Sequence, residues 1–132
     1  MPPPATELIR SSPTATAPVD LSAVAAGTGG FVINGQSAGD GSGQYVSDAG
    51  DMNGDGLADL VVGARYNDVG GPDSGRSYVV FGKAGTAAVD LNSLTSGTST
   101  DGFVINGQCA ADQSGTSVSS AGDVNGDGWV DM

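Results

Sequence analysis

The sequence repeats itself. Phe31-Val32-Ile33-Asn34-Gly35-Gln36 returns as Phe103-Val104-Ile105-Asn106-Gly107-Gln108, an offset of 72 residues. Residues 31–60 laid on 103–132 without a gap give 20 identities in 30 positions, far beyond chance. Upstream, Val19-Asp20-Leu21 returns as Val89-Asp90-Leu91 at an offset of 70, so the connector differs by two residues, as a loop does. Such a chain folds as copies of one unit, each covering the face its neighbour leaves open. The first copy spans about 19–88 and the second 89–132, which stops at Met132 where the first continues Leu60-Val61-Val62-Gly63-Ala64. Residues 1–18 precede them as a Pro-, Ala-, Ser- and Thr-rich leader without an apolar signal-peptide core, read as a disordered linker.

Within a copy the apolar residues come in short runs. Residues 31–34, 44–49, 59–64 and 76–82 read as strands, separated by loops rich in Gly, Asp, Asn and Ser. Only 20–26 and 90–94 offer a helical turn, each with an Asp at the N-cap. Two of the runs, 59–64 and 76–82, are apolar on both faces, and such strands must be covered on both. With no helices to cover them, other sheets must. A period of 72 with about four strands then predicts an all-β, antiparallel β-propeller, each blade packed between two others. Residues 44–107 make one full blade and those from about 116 begin another, about one and a half blades in total. A lone blade exposes two apolar faces, so further blades are expected from a longer chain or from self-association. The break at Met132 inside a strand favours the longer chain.

Net charge is -11, with 4 Lys plus Arg against 15 Asp plus Glu, which excludes nucleic acid as a partner. No stretch is long and apolar enough to span a bilayer. Six of the 15 acids fall in two tight loops. The first reads Asp51-Met52-Asn53-Gly54-Asp55-Gly56-Leu57-Ala58-Asp59, the second Asp123-Val124-Asn125-Gly126-Asp127-Gly128-Trp129-Val130-Asp131. Oxygen-bearing side chains stand at positions 1, 3, 5 and 9 of each. Calcium takes 6–8 oxygen ligands at about 2.3–2.6 Å, and this spacing supplies them in few residues. Leu57 and Trp129 would contribute a backbone carbonyl, which leaves their side chains free to differ. The glycines let the backbone curl round the ion. An EF-hand needs a bidentate Glu at position 12, where the first loop has Val62 inside an apolar strand. Magnesium keeps its waters and an octahedron, and zinc prefers His and Cys. The chain has no His and one Cys, Cys109, which stands where the first copy has Ser37. The expectation is two Ca²⁺ sites, one per copy.

These residues carry a resemblance. Ser47-Asp48-Ala49-Gly50, the loop 51–59, Leu60-Val61-Val62-Gly63-Ala64 and then Tyr78-Val79-Val80-Phe81-Gly82 resemble the FG-GAP repeat of integrin α-subunit propellers and related bacterial proteins. The second copy matches from Ser119 to Asp131. The resemblance implies calcium held between adjacent strands of a blade by Asp51, Asn53, Asp55 and Asp59, and by Asp123, Asn125, Asp127 and Asp131. Two departures stand out: Arg65 replaces a frequent Pro, and family propellers usually have seven blades.

For function, the absence of His removes a His-based triad or base, and the convergent carboxylates are committed to metal. Asp40 and Asp112, each before a Ser-Gly pair, read as turn residues capping backbone amides. Catalysis within this chain is rejected. The resemblance implies a surface or extracellular module for adhesion, or for protein or carbohydrate recognition, with loop 65–76, bearing Tyr66 and Asn67, as the part facing a ligand. The alternatives are a purely structural calcium-stiffened module, or a non-catalytic one appended to a secreted enzyme. Calcium sites of extracellular modules fill at about 10⁻⁴–10⁻³ M, which places the chain outside the cell or on its surface.

Overall fold

A computed structural model describes residues 18–132. The leader, apart from its last residue, lies outside them. In chain order the elements are helix α1 (Leu21–Ala25), strands β1 (Ile33–Asn34), β2 (Tyr45–Gly50), β3 (Asp59–Ala64), β4 (Arg76–Val80) and β5 (Val89–Asp90), a 3-10 helix (Leu91–Ser96), and strand β6 (Gly102–Asn106). Two compact units emerge. One joins the chain up to Asn34 with Lys83–Val89; the other joins Gly35–Gly82 with Asp90–Met132.

In the smaller unit, the Asp20 carboxylate accepts from Ser22 N at 2.9 Å and caps α1, as expected from its sequence. Of the strand expected at 31–34, only Ile33 and Asn34 are extended. They form a two-stranded sheet with β5, and Val89 N donates to Val32 O at 2.8 Å. The first copy's outer strand thus finds a local partner, which the sequence pattern did not reveal.

The larger unit holds one four-stranded antiparallel sheet in the order β2-β3-β4-β6. This is the blade expected between residues 44 and 107. Its ladder runs Val46↔Val62, Val62↔Tyr78 and Tyr78↔Val104, with neighbouring rungs on either side. A bulge between Asp48 and Gly50 breaks the β2–β3 register where the loop 51–59 begins. Gly50 has φ +70, which only glycine adopts readily, and its N donates to Asp48 Oδ1 at 2.6 Å.

β3 and β4 are buried on both faces, since Val61, Ala64, Tyr78 and Val79 expose nothing and Val62 and Val80 almost nothing. The double cover expected of these apolar runs is therefore present. Beside Gly63, however, it comes from irregular chain and not from a second sheet. A Cβ at Gly63 would sit 2.0 Å from Gly115 O, so backbone lies directly on backbone there. Gly75 and Ser114 form an isolated parallel bridge along the same seam. The 3-10 helix, capped by Asp90 accepting from Asn92 N at 3.1 Å, adds Leu91 and Leu94 to the core.

The second copy is less regular. Its residues 117–121, equivalent to β2, form no ladder, and a single antiparallel bridge joins Gly122 to Asp131.

Gly63→Ala tests the close seam. A methyl group 2.0 Å from Gly115 O must push two backbones apart, at a cost of about 1–3 kcal/mol typical of overpacking. Gly85→Ala, where nothing lies within 4 Å, should change stability by less than about 0.5 kcal/mol. Urea unfolding of both variants measures the contrast.

Candidate functional site

The loop 51–59 joins β2 to β3 and folds on its own carboxylates. Asp51 accepts from Asp55 N at 3.0 Å through Oδ1 and from Gly56 N at 2.8 Å through Oδ2. Asn53 Oδ1 accepts from Asp55 N at 3.1 Å, and Asp55 Oδ1 from Leu57 N at 2.8 Å. Asp55 Oδ2 accepts from Asn53 Nδ2 at 3.2 Å. Asp59 Oδ2 reaches back across the loop to Met52 N at 2.7 Å. Gly54 and Gly56, at φ +76 and +85, make the turn that aims these amides inward.

The loop 123–131 repeats five of these bonds and adds to them one from Gly126 N to Asp123 Oδ1 at 2.7 Å. Asp123 accepts from Asp127 N at 3.0 Å and Gly128 N at 2.9 Å. Asn125 Oδ1 takes Asp127 N at 3.0 Å, Asp127 Oδ1 takes Trp129 N at 2.9 Å, and Asp131 Oδ2 takes Val124 N at 2.8 Å. Two loops 72 residues apart in sequence thus hold one geometry, set by side chains within nine residues of one another.

They differ at the last position. Asp59 has no exposed surface, and its Oδ1 also accepts from Gly82 N at 2.8 Å, beyond the end of β4. Asp131 is half-buried. Leu57 and Trp129 are 42% and 53% exposed. The Trp129 ring lies over the first loop. A Cβ at Gly54 would stand 2.7 Å from Trp129 Cζ3, and one at Gly50 would stand 3.0 Å from Val130 Cγ1. The second loop rests on the first.

The donor set is all oxygen, which suits a hard cation and not a soft one. Neither loop contains a Lys or Arg. An ionised carboxylate offers about four acceptor sites. Asp51, Asp55 and Asp59 each use two on N–H donors and keep acceptor capacity for a cation. Among the described residues, no group of three or more acidic, His or Cys side chains stands close enough together to hold one ion. In this geometry the loop amides, and not a shared centre, gather the carboxylates.

A second polar cluster escaped the sequence reading. Gln36 Oε1 accepts from Tyr78 OH at 2.6 Å and from Arg76 Nη1 at 2.6 Å, while Arg76 Nε donates to Asn106 Oδ1 at 2.7 Å. Asn67 Nδ2 donates to Asp40 Oδ2 at 2.7 Å. Arg76, Asn67 and Asp40 are all buried, and with Gln36 they line a recess of about 330 Å³. Asp112 caps Cys109 N at 2.9 Å, in keeping with its reading as a turn residue. The side chain of Asp40 does not cap; it turns inward to Asn67. The recurrence of Gln36 as Gln108 and of Asp40 as Asp112 was the available signal, but their partners Asn67, Arg76 and Tyr78 have no second copy in the chain. Loop 65–76 is anchored by this cluster, so Asn67, Ser74 and Arg76 are buried, and residues 68–70 and Pro72 carry its exposed surface. Arg65 stacks on the Tyr66 ring, 4.4 Å from its centroid, and lies 5.8 Å from that of Tyr45.

A four-stranded antiparallel blade, with an Asp- and Gly-built loop between its first two strands, defines a β-propeller repeat. Residues 43–80 match the FG-GAP repeat family, so the chain carries an FG-GAP repeat, the unit of integrin-like β-propellers. The match takes in β2, the first loop, β3 and β4. No curated protein and no solved structure matches the chain. No helix among the described residues is long and apolar enough to cross a membrane.

Two measurements follow from these contacts. Asp59→Asn places an NH₂ group against Met52 N or Gly82 N. One buried donor is then left unpaired, at a cost of about 1–3 kcal/mol in urea unfolding with chelator present. Burial pushes the Tyr78 phenol above its ordinary range, partly opposed by the neighbouring Arg76 guanidinium. The neutral phenol's contribution is therefore complete below about pH 10 and is lost as pH rises through the raised value. Tyr78→Phe should lose about 1 kcal/mol at neutral pH and show a shallower alkaline fall, read by denaturation at a series of pH values.

Proposed function

We propose that this chain is a calcium-binding segment of an integrin-like β-propeller in a surface or secreted protein, serving adhesion or ligand binding. The observation that carries the reading is the recurrence of the same five amide–carboxylate and amide–Asn bonds in the two loops, each presenting Asp, Asn, Asp and Asp oxygens on a frame of glycine turns and inward amides. Calcium would be held by Asp51, Asn53, Asp55, Asp59 and the Leu57 carbonyl in the first site. Asp123, Asn125, Asp127, Asp131 and the Trp129 carbonyl would form the second. A bound dication would offset the mutual repulsion of three carboxylates and join each loop's two strands. The chain's own residues set the loop: Asp51 and Asp123 gather amides, Asp59 ties loop to sheet, and the glycines permit the curl. We assign no catalysis to the chain.

A purely structural role is the second reading. It is favoured by the inward anchoring of loop 65–76 through Asn67, Ser74 and Arg76, which leaves few of its side chains for a ligand. As a non-catalytic module the chain would serve equally beside a secreted enzyme's catalytic domain.

Calorimetric titration of the full chain tests the metal reading. Two ions are expected, with dissociation constants of about 10⁻⁴–10⁻³ M. At ten times the dissociation constant each site adds about 1.4 kcal/mol, which raises the melting temperature by several degrees over the value in chelator. Chelation should loosen the hairpin 44–64 first, seen as faster amide exchange there. Asp55→Ala should abolish the first site and leave the second. A cooperative melt indifferent to about 10 mM calcium, tenfold above the range for extracellular modules, defeats the proposal.

A further inference from the structure

Asn-Gly occurs four times in the chain, at 34–35, 53–54, 106–107 and 125–126. In such a pair the glycine nitrogen can attack the asparagine side-chain carbonyl, because the glycine carries no side chain to hinder the approach. The fold treats the four pairs differently. Gly107 N donates to Gly75 O at 2.8 Å and Asn106 Oδ1 accepts from Arg76 Nε at 2.7 Å, so the nitrogen and the carbonyl of that pair are both tied elsewhere. Gly126 N donates to Asp123 Oδ1 at 2.7 Å. Gly54 N donates to no group among the described residues, and Asn53 and Gly54 are both exposed. Asn53 Oδ1 accepts from Asp55 N at 3.1 Å, a turn that curls the side chain back over the Gly54 peptide. Asn125 makes the same turn with Asp127 N at 3.0 Å, so those two pairs differ chiefly in what holds the glycine nitrogen. Asn34 lies in β1. Its side chain makes no such turn among the described residues.

We propose that Asn53 is a self-modification site: the folded chain converts its side-chain amide to a carboxylate through a cyclic imide with Gly54, ahead of the other three Asn-Gly pairs. Gly54 N bonds to Asn53 Cγ, and the Cγ–Nδ2 bond breaks. The Gly54 amide proton leaves with Nδ2 as ammonia. Water then opens the imide. Opening at Cγ gives aspartate at position 53, and opening at the backbone carbonyl gives the isoaspartyl isomer, whose main chain is one carbon longer. No electrons are exchanged, and water is the co-reactant. The loop's own groups assist each step. The curl at Asn53 sets Cγ beside the nitrogen that attacks it. The Asp55 N–H on Asn53 Oδ1 stabilises the negative charge that builds there during attack. Asp55 Oδ2 accepts from Nδ2 at 3.2 Å and fixes the plane of the amide. Opening at Cγ raises the first loop from three carboxylates to four, so its charge changes with age before that of the second. Any effect on a cation's hold rests on the metal reading above; the conversion does not.

The test ages the full chain in neutral buffer with chelator, beside the same chain in urea, and follows each Asn-Gly peptide by mass spectrometry. In the folded chain, conversion at Asn53 should outrun that at Asn125 by about tenfold or more, the worth of the hydrogen bond to a charged acceptor that Gly126 N must first break. In urea only neighbours along the chain remain, and both pairs stand in the same run, Asn-Gly-Asp-Gly, so their rates should converge. Hydroxylamine, which cleaves the imide, should cut the folded chain first between Asn53 and Gly54. Asp123→Ala removes the acceptor of Gly126 N and should raise the Asn125 rate towards that of Asn53. If that variant misfolds, the comparison of folded chain with urea on the parent decides. Equal rates at Asn53 and Asn125 in the folded chain overturn the proposal. So does earlier conversion at Asn34 or Asn106, or a preference for Asn53 that persists unchanged in urea.

Discussion

The buried carboxylate of Asp59 is the contact on which the rest of the blade depends. It begins β3, has no exposed surface, and is held by two amides, Met52 N at the start of the loop and Gly82 N beyond β4. Burying a carboxylate is costly unless its oxygens are satisfied. The two N–H donors therefore have to come to it, and in doing so they close the loop and fix where β4 ends. A single side chain thus couples the candidate metal loop to three strands of the sheet. That coupling makes a cation at the loop a structural matter for the whole blade.

The blade's packing rests on a different device. β3 and β4 present apolar residues on both faces, and one of those faces is closed by backbone placed directly on Gly63. Glycine there is a requirement of distance, since even a methyl group has no room. The same principle governs the meeting of the two loops. Trp129 lies over Gly54, and Val130 over Gly50, because the first loop has no side chains at those points. The repeat therefore carries two kinds of glycine. Some, such as Gly56 at φ +85, curl the loop, and others, such as Gly63, admit a neighbour.

Much of this was legible in the sequence. The strands 44–49, 59–64 and 76–82 emerge as β2, β3 and β4 within a residue or two, and the N-caps at Asp20 and Asp90 are in place. The loops were legible as nine-residue units because Asp, Asn and Gly act locally, but their side chains were read as cation ligands, and their bonds to amides two to seven residues away were not named. The pairing of β1 with β5 was not, since two short segments with no turn between them leave no periodic signature. Asp40 was misjudged for the same reason: its partner Asn67 lies 27 residues away.

The sequence alone therefore settled the repeat, the main strand positions, the place of the two loops and the acidic balance, all of which depend on neighbours along the chain. Tertiary structure decided what covers each strand. It set Trp129 over Gly54 and brought Arg76 and Tyr78 to the amide oxygen of Gln36, with Arg76 also reaching Asn106. Those outcomes depend on distances between parts of the chain that only packing brings together, and a pattern of residue types does not encode a distance.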